Sequence, residues 1–273
     1  MLQRQADQNP HEKLRIDSLR YITIFEIKNF EEIIIKSCKE AFSIILEIEE
    51  TVKSVLKSKI KYKFEEEYLH QSITVKVEHN KIVMFSRGNT NLDLIAILKA
   101  AAKVMSQLLS KHILLAGHVA YGHFYFSDDQ KKFCGKPYVM AYQQAKEIQC
   151  CAITCDTLVQ QNIQEAKIFI NDPDFFSKMG KSLLEKHDIP IFGTRINGEI
   201  VSKKMFTVDW PRAEIDVFGT IKEYKIEEFF KPYKAVYGEY EQLDVIKRTY
   251  FEETLKLLNN SLAQCIKLFN STI

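Results

Sequence analysis

The sequence predicts an α+β protein: a ferredoxin-like βαββαβ palm followed by a C-terminal β-hairpin and helical appendage. Three observations carry that expectation. Residues 71–88, QSITVKVEHNKIVMFSRG, place β-branched and apolar side chains on both sides of His79-Asn80, the pattern of a tight hairpin whose turn requires positive φ. Apolar residues recur at three- and four-residue steps from Phe30 to Lys57 and from Asn91 to Ser110, so one helical stretch precedes the hairpin and another follows it. Strand signals at Tyr21–Ile27 and Ile113–Phe126 close the unit at both ends.

The composition narrows the class of protein. At 273 residues, 46% hydrophobic and 27% charged, the chain can bury one large core or a core with an appendage. Its net charge of +2 gives no global field for nucleic acid. The basic run from Lys57 to Lys63 is cancelled at once by Glu65, Glu66 and Glu67, and reads as a solvated helix end with its linker. The six cysteines, at 38, 134, 150, 151, 155 and 265, show no paired CxxC spacing. No signal peptide is read, so reduced thiols in a cytoplasmic protein are expected. Cys150, Cys151 and Cys155 stand where a helix hands over to a strand, and small apolar packing accounts for them better than a metal. No apolar run is long enough to span a bilayer.

Taken in order, residues 1–18 are polar and read as an N-terminal extension. The strand Tyr21–Ile27 carries Glu26 among apolar neighbours, which marks either a site carboxylate or a strand edge facing water. Asn29 is placed to cap the helical span after it, which reads as two helices or one bent one. Asn91 is placed to cap the next helix, with Leu92, Ile95, Ala102, Met105 and Leu109 inward. Gly117 and Gly122 mark close approaches on the long strand, and His118 and His123, five apart, point to opposite faces. Pro137 opens a helix to Gln149. A short strand, a short helix over Asp156–Gln161 and a strand over Ala166–Ile170 complete a domain over residues 19–170. The turn Asn171-Asp172-Pro173-Asp174 marks the boundary to an appendage over 171–273. That appendage reads as a hairpin (Ile191–Ile196, then Glu199–Trp210) and two helices, the second with an apolar stripe from Leu243 to Phe269.

In this order the pieces resemble the catalytic domain of class III nucleotidyl cyclases. Residues 24–30, IFEIKNF, stand where that family's first metal-binding Asp ends a strand. Lys76-Val77-Glu78-His79-Asn80 overlies a hairpin that carries a base-contacting Lys and a second Asp. Residues 116–122, AGHVAYG, resemble the following strand, and Gly135 to Gln143 the start of the next helix. The resemblance implies a palm that holds two divalent cations about 3.5–4 Å apart, Mg2+ or Mn2+, to activate a ribose hydroxyl and neutralise a triphosphate. It also implies a homodimer, or a heterodimer with a cyclase-like chain. Lys76 matches the base-contacting Lys, although a Lys between Val75 and Val77 also suits a half-exposed strand.

Against that pattern, Glu26 replaces an Asp and Asn80 removes a charge from the second metal position. Val139 and Gln143 stand for an Asn and a transition-state Arg, and Lys132 for the second base-selecting residue. Glu78, on the same strand face as Lys76, is an alternative partner for Glu26. The expectation is therefore a catalytically degenerate cyclase-homology protein that binds a nucleotide or a partner protein in regulation or defence signalling. Two alternatives stand beside it. One is an active class III-type cyclase, pyrimidine cyclases included, making a 3′,5′-cyclic nucleotide. The other is a structural oligomerisation module built on the C-terminal helix.

Overall fold

A computed structural model describes residues 18–62, 65–127, 132–169, 184–192, 199–213 and 223–272. The expected N-terminal extension before Ser18, the turn at Asn171–Asp174 and the turn Asn197-Gly198 lie outside those residues.

The palm forms as its periodicities require. Strand β1 (Ser18–Ile27) is followed by α1 (Phe30–Lys36) and α2 (Cys38–Leu56), then the hairpin β4 (Ile73–Glu78) and β5 (Lys81–Ser86), helix α4 (Asn91–Ser110) and β6 (Leu115–Phe126). These strands lie in the order β4-β5-β1-β6 and pair antiparallel throughout. Counting only palm strands, that is the order second, third, first, fourth of a βαββαβ palm. The register sets Glu26 opposite Lys81 on one side of β1 and opposite Ala116 on the other.

The sheet continues beyond the palm. β8 (Ile153–Cys155) pairs parallel to β6, and the hairpin β9 (Leu184–Phe192) and β10 (Ile200–Val208) adds antiparallel through β10 to β8. A short β7 (Phe133–Gly135) pairs with the far end of β6. One face of the sheet is covered by α2, α4 and the C-terminal helices, and the other by α5 (Lys136–Glu147).

Two local features fix these layers. Ser37 is extended and its side chain accepts from Glu40 N, so α2 starts afresh there and the span is two helices. At Gly117 a Cβ would stand 2.6 Å from the Phe25 ring, which is the close approach the glycine allows.

Several expectations are corrected. The charged segment after Lys57 is a small hairpin, β2 (Lys59–Tyr62) with β3 (Glu65–Tyr68), followed by the one-turn helix α3 (Leu69–Ser72), rather than a linker. Its strands are four residues each, five of the eight side chains are charged, and Ile60, buried in the main core, is too isolated a signal to display an alternation. Thr90, not Asn91, caps α4, in a reciprocal capping box with Asp93. Asn29 sits in the left-handed region (φ 57°) and makes no side-chain cap; its amide instead donates to Tyr237 Oη at 3.4 Å. The expected helix Asp156–Gln161 and strand Ala166–Ile170 are a single helix, α6 (Thr157–Phe169); no Gly or Pro between Gln161 and Ala166 ends it. β9 starts at Leu184 rather than Ile191, since an edge strand tolerates the polar run Lys186-His187-Asp188 and Pro190.

The C-terminal elements are α7 (Trp210–Ala213), α8 (Ile226–Phe230), a 3-10 turn at Lys231–Tyr233, α9 (Lys234–Tyr237) and α10 (Val245–Thr272). They are tied to the palm by buried polar contacts. Trp210 Nε1 donates to Cys151 O (3.0 Å), Tyr250 Oη donates to Leu115 O (2.9 Å), and Cys151 N donates to Thr254 Oγ1 (2.8 Å). Helix α4 is consequently buried on nearly every side, well beyond the single inward stripe its spacing suggested. Cys150, Cys151 and Cys155 are buried, and desolvation raises all three thiols above their ordinary pKa. No helix among the described residues is long and apolar enough to cross a membrane.

Candidate functional site

The hairpin register brings Glu78, Lys81 and Glu26 into one transverse row across β4, β5 and β1, on the face beneath α5. Directly paired residues share a face, and neighbouring strands lie about 4.8 Å apart. The two carboxylates therefore stand on either side of a lysine. Lys81 Nζ lies 3.8 Å from Glu78 Oε2 and 3.1 Å from Tyr138 Oη, with the Tyr142 ring 4.8 Å below it. Its pKa is raised: partial burial opposes the charge, but Tyr138 and Glu78 outweigh it.

Glu26 has a closer partner. Lys28 Nζ donates to its Oε2 at 2.7 Å, and the two side chains are only 8% and 12% exposed. The same ammonium donates to Ala145 O (3.0 Å) and Lys146 O (3.0 Å) at the C-terminal end of α5. Carbonyls there have no intrahelical partner, and the helix dipole places partial negative charge at that end. All three ammonium protons are thus directed to oxygen. Burial pushes the Lys28 pKa down and Glu26 pulls it back.

The other sequence-predicted positions are scattered. Asn80 completes the hairpin turn, and its backbone oxygen accepts from Ile27 N at 2.8 Å. Lys76 lies on β4, opposite Val83 and two strands from β1. Lys132 closes the β6–β7 loop, its N donating to Ser127 Oγ and its O accepting from Ser127 N. Val139 and Gln143 lie on α5, Val139 half exposed. Sequence reasoning missed Lys28 and Lys81. Lys28 was legible in principle, being a cation only two residues from Glu26, just past the end of β1.

A two-cation site needs converging anionic oxygens. Here Glu26 is met by the Lys28 ammonium and faced by Lys81, and the Asn80 side chain is a neutral amide with no anionic oxygen to offer. The residues present do not fit such a metal pair.

A second concavity lies on the other flank of α5. It is a cleft of about 840 Å³ between α5, the start of α6 and the β9–β10 hairpin. His118 is at its floor, buried, with Nδ1 2.6 Å from Thr154 Oγ1. Burial, with Lys203 adding to it, holds the His118 pKa down at about 3, so the ring is neutral at physiological pH. His123, on the opposite face of β6, is exposed.

No protein-family model matches this sequence, and no curated protein matches it. Solved structures of cyclase domains do. The catalytic core of a rhodopsin-guanylyl cyclase with converted specificity, in complex with ATPalphaS, matches at TM-score 0.47 and 11% identity, over 72% of this chain and 97% of that one. The monomeric guanylyl cyclase domain of the RhoGC fusion protein from the aquatic fungus Blastocladiella emersonii matches at 0.49 and 9%, over 72% and 97%. An adenylate/guanylate cyclase/hydrolase from Silicibacter pomeroyi matches at 0.46 and 10%, over 71% and 98%. The palm itself rests on the strand order and registers above.

Proposed function

We propose that this chain is a cyclase-homology protein whose catalytic cation seat is filled by its own lysine, and that it binds a nucleotide or a partner protein without cyclising a substrate. The observation that carries the reading is the Lys28 ammonium held between Glu26 and the end of α5. A fixed monovalent cation supplies the charge balance that the carboxylate requires. It supplies no open coordination position from which a ribose hydroxyl could be activated. Lys81, set between Glu26 and Glu78, keeps the two acids from sharing one ion. The departures at Asn80, Val139 and Gln143 point the same way, since each removes a ligand or donor that phosphoryl transfer uses.

The test is product formation. The purified chain incubated with each of the four common nucleoside triphosphates and Mn2+ is expected to return them uncyclised. A 3′,5′-cyclic product that disappears in Glu26→Ala would overturn the reading in favour of an active cyclase.

A further inference from the structure

We propose that the cleft between α5 and the β9–β10 hairpin binds a small phosphate-rich anion, such as a nucleoside or inorganic polyphosphate. The proposal deepens the nucleotide-binding half of the reading above and rests on it for the choice of ligand.

The walls supply the charge. Lys146, Lys186, Lys203 and Lys204 line the cleft against two acids, Glu147 and Asp156. Asp156 is already engaged as the cap of α6, its oxygens accepting from Val159 N (2.7 Å) and Tyr121 N (3.1 Å). Lys203 and Lys204 are exposed on β10, and among the described residues neither they nor Lys186 has a carboxylate partner. Lys186 Nζ instead lies 4.7 Å above the Phe206 ring. Lys203 shares the sheet face of His118, Lys186 and Lys204 lie on the opposite face at the rim of the cleft, and the N-terminus of α6 opens onto it, so anionic oxygens gain from its net positive charge.

Uncharged groups complete the site. Gln144 lines the same cleft, and its Nε2 is buried without a partner among the described residues. An unsatisfied buried donor requires an explanation, and because this one is closed to solvent the Gln144 side chain has to turn toward the cleft to offer it to a ligand oxygen. His118 is neutral and has Nδ1 engaged by Thr154, which leaves Nε2 to meet a ligand. The volume of about 840 Å³ falls within the range of small-molecule sites. The signal was absent from the sequence because Lys186, Lys203 and Lys204 come from one hairpin while Lys146 and Gln144 come from α5, about 40–60 residues earlier, a distance closed by the β8–β10 pairing and by Gln149 N donating to Pro190 O.

The experiment is calorimetric titration of the full chain with inorganic triphosphate, ATP and UTP, with EDTA present so that no divalent ion takes part. Saturable binding is expected, weakened about tenfold or more in the double variant Lys203→Glu/Lys204→Glu and unchanged in Lys53→Glu on the far side of the sheet. Tighter binding of ATP or UTP than of triphosphate identifies the ligand as a nucleotide; equal binding identifies it as a polyphosphate. Absence of saturable binding by all three up to about 1 mM, or binding that the double charge reversal leaves within about twofold, overturns the proposal. Because EDTA excludes turnover, the cleft can fail here while the chain stays inactive in the Mn2+ assay. Equally, the chain can prove active while the cleft binds nothing.

Discussion

Replacing Lys28 by methionine is expected to destabilise the chain by about 3–5 kcal/mol, because the change strands a buried carboxylate without its cation. The side chain of Glu26 is almost entirely covered, and Lys28 is its ion-pair partner at 2.7 Å. Methionine matches the length of the lysine stem, so the loss reports the charge rather than a cavity. The carbonyls of Ala145 and Lys146 lose their donor in the same step. Pairing the change with Glu26→Gln is expected to recover most of that loss, because taking away both charges also removes the cost of desolvating them. Urea melts of the single and double variants decide this, and equal destabilisation in both would refute the account of the pair.

The second large effect is expected at Trp210. The residue is fully buried, and its indole donates to Cys151 O beside β8. Tyr250 and Thr254 of α10 bind the same stretch of chain. Trp210→Ala is expected to cost about 3–5 kcal/mol, from lost apolar burial and the residual cavity. The C-terminal elements share the sheet and the main core with the palm, so the loss should lower the midpoint of one cooperative transition. A biphasic melt whose palm transition does not move would show that the segment after residue 171 folds as a separate unit.

The sequence made the palm legible because its signals were local and periodic. The His79-Asn80 turn, the alternation around it and the apolar spacing of α2 and α4 each needed only a short window. What stayed hidden depended on tertiary pairing. The β2–β3 hairpin puts Ile60 into the core between charged neighbours, too short a run to show a period, and β9 is an edge strand that accommodates Pro190 and a charged run. The candidate site divided in the same way. Glu26 stood out as a carboxylate in an apolar strand. Its partnership with Lys28 depends on where α5 ends, and the interposition of Lys81 depends on the β1–β5 register. A single residue of slip in that register would put Lys81 on the other face, and no local signal reports such a slip.

Electron paramagnetic resonance of added Mn2+ tests the central claim most directly, since it reads whether the seat beside Glu26 accepts a divalent ion. With Lys28 in place, the account predicts that the free-ion spectrum keeps its full intensity at one equivalent of metal per chain. Stoichiometric loss of that signal in the wild-type chain, restored by a folded Glu26→Gln variant, would contradict it.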